Sequence, residues 1–318
     1  MMRTMRVRLL LAVSMPIAVL SAFSGQQAPT FRVTNETVPV FVTVTDRDNR
    51  LVTTLKQEDF QIRDNGKPQP VTVFDNTPQA VRLIVLLDVS GSMEGNLRLL
   101  RGASEELIRH LGDKDLMRVG TFGDQISISP AFTRDPAAIA AWLPQEIPPN
   151  ARTPLWQATD QAMGEFSQVT EGRRVVLILS DGKDSGPQFG KKFLSPIEIG
   201  DRAQRDDVMI YGVGVYGSLA GAMRSGAPTM TGMLASTFPD PGLGGVALDT
   251  GGGYIELRSR DNLSAVFGRV VDELHQQYLL GFAPPARDGK THKIEVKIKR
   301  ADVKPRVRKT YVAPKDGR

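Results

Sequence analysis

Two aspartates and three hydroxyl residues are the side chains of this sequence whose types and spacing best suit cation binding. Asp88, Ser90 and Ser92 close the apolar run "LIVLLDVSGSM", and Asp181 closes a second apolar run, "VLILSDG". Thr153 lies between them in "NARTPLW". Carboxylates and hydroxyls are costly to bury unless a partner satisfies them. A bound ion would explain why two apolar strands end on such residues.

The donor set contains only oxygen atoms. No His or Cys lies near it in the sequence, which argues against zinc, copper or iron. Hydroxyls, carboxylates and waters in a small octahedral arrangement suit Mg²⁺, or Mn²⁺ in its place. The spacing Asp-x-Ser-x-Ser is weak evidence by itself, so its position in the fold must support it.

Alternating apolar strands and amphipathic helices predict that position. Continuous apolar runs such as "VRLIVLLDVS" and "RRVVLILSDG" are typical of strands buried on both faces. Helical spacing follows in "NLRLLRGASEELIRHLG" and closes the region in "DNLSAVFGRVVDELHQQY". We therefore predict an α/β fold with a doubly wound, mostly parallel sheet and helices on both faces. Ligands bind beyond the carboxyl ends of such strands, which is where the five residues should meet.

Two β-rich flanks surround this region. Residues 29–79 contain an Asn-Gly hairpin signal at Asn65, and residues 277–314 return to alternating patterns such as "HKIEVKIKR". Either flank alone has too few strands to bury a core. We predict that both pair into one small β-sandwich, with an α/β domain at 80–276 inserted between them.

The stretch 217–245 has no clean period and is rich in Gly, Pro, Met and Thr. It is predicted to be a long loop, which is either functional or a simple insertion.

With this context, "DVSGSM", "TPLW" and "LSDG" resemble the metal-ion-dependent adhesion site of von Willebrand factor type A domains. The resemblance covers about residues 81–275, and the flanks are similar to those of exported bacterial proteins related to this family. It implies that Ser90 and Ser92 bind the metal through their hydroxyls. Thr153 would bind directly when a ligand is engaged and through water otherwise, and Asp88 and Asp181 would bind mainly through waters.

The same resemblance implies a function. The open metal position would take an Asp or Glu from a partner protein, which makes the chain a metal-dependent protein-binding or adhesion module. The alternative is an envelope scaffold protein in which the metal is only structural. We expect no nucleic-acid partner, because the basic C-terminal tail is typical of the solvated face of a strand and no nucleic-acid-binding motif occurs. The oligomeric state is left open.

The N-terminus predicts export. Arg3, Arg6 and Arg8 precede a short apolar core and small residues before Gly25, a pattern typical of a signal peptide over residues 1–24. These arginines supply three units of the formal net charge of +5. The sequence has no Cys, so we expect neither disulfides nor a lipid anchor. The protein is expected to be periplasmic or secreted, with an uncleaved signal anchor as the alternative.

No enzymatic activity is expected. The sequence has no Gly-x-Ser-x-Gly elbow and no phosphate-binding loop. Its three histidines, His110, His275 and His292, fall in helices or a strand away from the predicted edge, so a triad lacks its base.

Overall fold

The computed structural model describes residues 37–186, 190–216, 229–231, 238–258 and 261–315, all within one compact unit. The predicted signal peptide at 1–24 lies outside them. In chain order the described strands are β1 (Val38–Asp46), β2 (Phe60–Asp64), β3 (Lys67–Gln69), β4 (Val73–Asp75), β5 (Val81–Asp88), β6 (Leu116–Phe122), β7 (Ile126–Ile128), β8 (Arg173–Ser180), β9 (Val208–Val215), β10 (Tyr254–Leu257), β11 (Tyr278–Phe282), β12 (Thr291–Ile298), β13 (Val303–Arg306) and β14 (Thr310–Val312). The described α-helices are α1 (Leu97–His110), α2 (Pro136–Ala140), α3 (Leu155–Gly164), α4 (Pro196–Arg205), α5 (Pro241–Asp249) and α6 (Leu263–His275).

The central sheet has the strand order β10-β9-β8-β5-β6-β7. Strand β5 pairs in parallel with β6 and β8, and β9 pairs in parallel with β8 and β10. Strand β7 is antiparallel to β6. The predicted doubly wound, mostly parallel α/β fold is confirmed.

Helices cover both faces of this sheet, which explains the continuous apolar runs in its strands. Leu83, Val85 and Leu87 of β5 point to the face covered by α1, α2 and α6. Ile84 and Leu86 point to the other face, covered by α3, α4 and α5. All five side chains are fully buried, because strand residues alternate between faces and each face meets a helix layer.

The two flanks fold together as predicted. One four-stranded sheet has the order β13-β1-β11-β4 and the other β14-β12-β2-β3, so each sheet takes strands from both ends of the chain. Val40 and Ile62 lie in their shared core together with Leu280. The hairpin between β2 and β3 turns at Asn65 and Gly66, whose φ angles of 47° and 80° fit an Asn-Gly turn.

One prediction about the elements needs correction, and two elements were not predicted. The loop predicted at 217–245 is wrong for its last residues, because α5 begins at Pro241. The Asp240 carboxylate accepts a hydrogen bond from the Gly242 N–H at 2.7 Å, and a proline at the helix start suits this cap. Residues 217–228 and 232–237 of that stretch lie outside the described residues. Helix α4 and strand β10 were not predicted.

A buried polar network joins the sandwich to the α/β domain at the amino ends of the central strands. Arg173, the first residue of β8, donates hydrogen bonds to the Gln277 side-chain oxygen at 2.7 Å and the Leu274 carbonyl at 2.6 Å. Its guanidinium lies 4.6 Å from the centre of the Phe41 ring. Gln277 in turn donates to the Thr43 hydroxyl at 2.7 Å. Side-chain hydrogen bonds therefore cross the boundary between the two parts at this end of the sheet, although the buried Arg173 Nε has no hydrogen-bond partner among the described residues.

Opposite charges are paired around the same boundary. The pairs are Arg306 with Glu273, Arg308 with Asp207, and Lys309 with Asp249, and the His275 ring is hydrogen-bonded to the Asp115 carboxylate. The Arg308–Asp207 and His275–Asp115 contacts measure 2.8 Å and 2.7 Å. We name this set of residues, with Arg173 and Gln277, the junction.

Candidate metal site

The predicted site residues occupy neighbouring loops at the carboxyl-end edge of the central sheet. Asp88 is the last residue of β5, and Asp181 directly follows β8, its parallel neighbour. Ser90 and Ser92 lie in the turn after β5, and their hydroxyl oxygens are 3.1 Å apart. Thr153 lies two residues before α3. The topology therefore places all five at one edge, as the sequence predicts.

Backbone contacts hold the first two loops together. The Gly91 N–H donates to the Ala151 carbonyl at 3.0 Å. A Cβ at Gly91 would lie 2.6 Å from the Asn150 backbone nitrogen, which no side chain tolerates. The close approach of the two loops therefore requires a glycine at position 91.

The loop after β8 holds Thr153 from the other side. The Thr153 N–H donates to the Ser185 hydroxyl at 2.6 Å, and the Ser185 N–H donates to the Thr153 carbonyl at 2.9 Å. The Asp184 carboxylate accepts from the Trp156 N–H at the start of α3. These bonds fix the Thr153 backbone relative to Asp181, four residues before Ser185.

The electrostatics of the edge are unusual. The side chains of Asp88 and Asp181 are both fully buried. Burial and the charge of Asp181 raise the pKa of the Asp88 carboxyl well above its ordinary value, although it accepts hydrogen bonds from the Ser180 hydroxyl at 2.5 Å and the Ser90 N–H at 2.8 Å. Two carboxyl groups that repel each other when ionised are therefore buried close together, an arrangement that a cation would relieve.

One side-chain cation reaches this pair. The Lys183 ammonium lies 3.2 Å from a carboxylate oxygen of Asp181. In the part of the chain that the structure describes, Asp88 has no such contact with a Lys or Arg. The neutralisation of the pair by the protein's own side chains is thus one-sided.

The donor set fits a small hard cation. It supplies carboxylate oxygens from Asp88 and Asp181 and hydroxyl oxygens from Ser90, Ser92 and Thr153, the ligand types preferred by Mg²⁺ and Mn²⁺. Among the described residues, no group of three or more His, Cys, Asp or Glu side chains is placed to hold a metal ion. The candidate site has only two carboxylates, with hydroxyls as its other donors, so it is not a group of that kind.

Several supporting residues were missed by sequence reasoning. Ser180 donates to Asp88 and also accepts from the Gly182 N–H at 2.9 Å. The Asp240 N–H donates to the Asp181 carbonyl at 2.7 Å, which links α5 to the site. Ser180 and Ser185 lie inside the motif "LSDGKDS", so their proximity was visible in the sequence. Asp240 carried no such signal.

Comparison with known families agrees with this architecture. Residues 83–237 match the family model of the von Willebrand factor type A domain. This part of the chain is a von Willebrand factor type A domain, and such a domain is consistent with a protein-binding or adhesion-type module. A comparison with curated protein sequences finds no significant match.

Solved structures similar to the chain include bacterial proteins. The conserved hypothetical protein BatB from Bacteroides thetaiotaomicron is 15% identical with a TM-score of 0.46, over 61% of this chain and 98% of that one. A von Willebrand factor type A protein from Catenulispora acidiphila is 12% identical with a TM-score of 0.45, over 90% of this chain and 76% of that one.

A third similar structure is the vWF domain of the type V pili tip protein Mfa5 from Porphyromonas gingivalis. It is 10% identical with a TM-score of 0.42, over 61% of this chain and 95% of that one.

In the described residues, no helix combines the length and apolar character needed to cross a bilayer.

Proposed function

We propose that this protein is an exported, metal-dependent protein-binding module. The observation that carries the proposal is the pair of fully buried carboxylates, Asp88 and Asp181, beside the hydroxyls of Ser90 and Ser92. Export is proposed from the N-terminal sequence pattern alone.

Each side chain would have a defined part in holding Mg²⁺ or Mn²⁺. Ser90 and Ser92 offer neutral hydroxyl oxygens, and Thr153 offers a third from a loop fixed by Ser185. Asp88 and Asp181 supply the negative charge. The bound ion would supply an electron-poor centre that attracts a carboxylate.

The partner would therefore present an exposed Asp or Glu. The carboxylates of Asp88 and Asp181 are fully buried, and so is Ser90. Ser92 is only partly buried and is the more exposed of the two serines. An incoming carboxylate would approach from this side. Few directly bound anions leave the ion able to accept one more.

The positions of the histidines support binding rather than hydrolysis. His110 and His275 end helices at the amino-end edge, where His275 contacts Asp115 and His110 contacts the Glu106 carbonyl. His292 lies in the sandwich beside Asp64 at 2.9 Å. Among the described residues, no histidine therefore lies at the carboxyl-end edge, where a hydrolase of the Ser-His-Asp type would need its general base.

The test is a selection of random dodecapeptides displayed on phage against the immobilised protein. Binding is carried out in Mg²⁺ and elution in EDTA, and the Ser92→Ala variant is selected in parallel. We expect the EDTA-eluted peptides from the native protein to be enriched in Asp or Glu, and the variant to lose that pool.

Peptides that stay bound in EDTA and lack an acidic preference would contradict the proposal. They would favour the scaffold alternative, in which the metal only holds the loops and the β-sandwich makes the contacts.

A further inference from the structure

A buried histidine lies between two aspartates in the β-sandwich. His292 of β12 is 6% exposed, and Asp64, the last residue of β2, is 2% exposed. The Nδ1 atom of His292 lies 2.9 Å and 3.1 Å from the two carboxylate oxygens of Asp64. Its Nε2 atom lies 3.3 Å from a carboxylate oxygen of Asp288, in the loop between β11 and β12. Each nitrogen of the ring therefore faces a carboxylate.

Strand pairing brings these side chains together from the two ends of the chain. In the register of β2 and β12, Asp64 is opposite Ile294, two residues from His292. Both side chains therefore point to the sandwich core. Tyr311 of β14 is directly opposite His292 on the other side of β12, and the centres of the two rings are 5.4 Å apart. The cluster thus connects the N-terminal flank to the C-terminal flank.

No basic side chain other than the imidazole contacts these carboxylates. Among the described residues, no Lys or Arg side chain has a hydrogen bond or ion pair with His292, Asp64 or Asp288. The Tyr311 hydroxyl lies 3.3 Å from the Nδ1 atom of His292. Burial, and then the charge of Asp64, raise the pKa of Tyr311, so the phenol stays neutral. The ring of His292 is therefore the cation that balances the buried Asp64.

The other elements around the cluster add little to its charge. The facing sheet contributes Phe282, whose ring packs edge-on against Tyr311. The turn between β13 and β14 contributes the charge of Arg308, which is already paired with Asp207 across the junction. The protonation of the ring should therefore be governed by its two carboxylate contacts.

Both contacts form fully only with a protonated ring. A neutral imidazole has one N–H group and one lone pair, so it can donate to only one of the two carboxylates. Asp288 is ready to accept, because the Lys290 N–H, and with it His292, hold the pKa of Asp288 below its ordinary value. The side chain of Asp288 is 35% exposed, against 1% for Asp64. Loss of a ring proton would therefore open the contact with Asp288 and keep the Nδ1–H on Asp64.

We propose that His292, Asp64 and Asp288 form a pH-sensitive clamp between the two flanks, closed when the imidazole is protonated and open on the Asp288 side when it is neutral. Histidine is the side chain whose charge changes within the ordinary working range of pH. Contacts that favour the charged form of a base add stability at low pH, and this contribution is lost as the pH rises. The sandwich is thus held more firmly in mildly acid than in alkaline surroundings. The clamp does not depend on metal binding.

Nitrogen-15 NMR of the imidazole rings in the purified protein tests the protonation states directly. The chain has three histidines, and the variants His110→Gln and His275→Gln assign the other two rings without changing His292. We expect both nitrogens of His292 to carry a proton at about pH 5.5 and only Nδ1 to carry one at about pH 8.5. A ring that keeps one protonation state across this range, or that retains its proton on Nε2 when neutral, would overturn the proposal.

Urea denaturation tests the contribution of the clamp to stability. Asp288→Asn removes the charge and keeps an acceptor oxygen for the Lys290 N–H. The matched control is Asp302→Asn, which changes an aspartate paired with Arg300 in the turn between β12 and β13. We expect the unfolding equilibrium constant of Asp288→Asn to exceed the native one by about threefold at about pH 5.5 and to match it at about pH 8.5.

The control should differ from the native protein by the same ratio at both pH values, because arginine keeps its charge throughout. The contact between His275 and Asp115 is present in all three proteins, so its contribution cancels in these ratios. A ratio for Asp288→Asn that is equal at both pH values, or that grows as the pH rises, would overturn the clamp.

Discussion

The two ends of the central sheet treat buried charge in opposite ways. At the amino-end edge, the junction pairs Glu273 with Arg306 and Asp115 with His275. At the carboxyl-end edge, Asp88 and Asp181 are buried together. Of these two carboxylates, the Lys183 ammonium contacts only Asp181. Both edges lie in one sheet with the same apolar core.

This difference separates stability from function within one domain. Hydrogen-bonded and oppositely charged groups stabilise a fold and specify its geometry, whereas close like charges cost stability unless a cation joins them. The junction should therefore respond to mutation with a loss of stability. The carboxyl-end edge should respond with a change in metal affinity.

The largest effect is expected from Arg173→Met in the junction. The substitution leaves the Gln277 oxygen and the Leu274 carbonyl without their buried donor and removes the contact with Phe41. The free energy of unfolding should fall by about 3 kcal/mol, as measured by urea denaturation. Mg²⁺ affinity should not change. The exposed Arg47→Met variant is the control. An equal effect from both substitutions would show that the junction contacts of Arg173 do not stabilise the fold.

Asp115→Asn should lower the free energy of unfolding by about 2 kcal/mol at neutral pH. Burial raises the pKa of Asp115, but hydrogen bonds donated by His275 and by the Val81 and Gly112 N–H groups outweigh it and hold this pKa below 3.8. A lowered carboxyl pKa adds stability above the unfolded value, and this contribution is lost as the pH falls through the folded value.

The difference in stability between native protein and Asp115→Asn should therefore shrink once the pH drops below 3.8. Urea titrations at neutral and acid pH measure it. A difference that stays constant across this range would show that the Asp115 charge is not what stabilises the junction.

At the opposite edge, Ser92→Ala should weaken Mg²⁺ binding by about tenfold, or ~1.4 kcal/mol, without destabilising the metal-free protein. Its hydroxyl contacts only the Ser90 hydroxyl among the described residues, so little native structure depends on it. Calorimetric titration measures the affinity, and the exposed Ser167→Ala variant is the control. Unchanged affinity would exclude Ser92 from the metal ligands.

The smallest effect is expected from Lys183→Gln. Removing a positive charge 3.2 Å from Asp181 should strengthen Mg²⁺ binding by about threefold, or ~0.7 kcal/mol. Lys191→Gln, farther along the same loop, is the matched control. A weaker affinity in Lys183→Gln would mean that this lysine supports the site rather than opposing the cation.

The sequence predicted the central sheet well because its signals are local and strong. Continuous apolar runs ending at Asp88 and Ser180 marked the buried strands, and the Asn65 turn marked the hairpin. Helix α4 was missed although Ser195 and Glu198 form a capping box around Pro196, a start signal that the sequence carries openly. Helix α5 was hidden because its Gly-rich sequence resembles a loop, and its start depends on the Asp240 cap.

The candidate site was predictable in its members but not in its energetics. Motif order and the position of strand ends placed Asp88, Asp181 and Thr153 at one edge. The burial of both carboxylates and the contribution of Ser180 depend on packing between distant segments. No single-sequence pattern encodes such contacts.

The central claim is that the buried carboxylates at the carboxyl-end edge hold a divalent cation. Calorimetric titration of Mg²⁺ into the metal-free protein, beside the Asp88→Asn variant, tests it most directly. Asn keeps an acceptor oxygen for the Ser90 N–H, places an amide NH2 group opposite the Ser180 hydroxyl, which can accept from it, and removes the charge of Asp88. We predict saturable binding to the native protein and none to the variant. No binding to the native protein, or equal affinity in both, would contradict the claim.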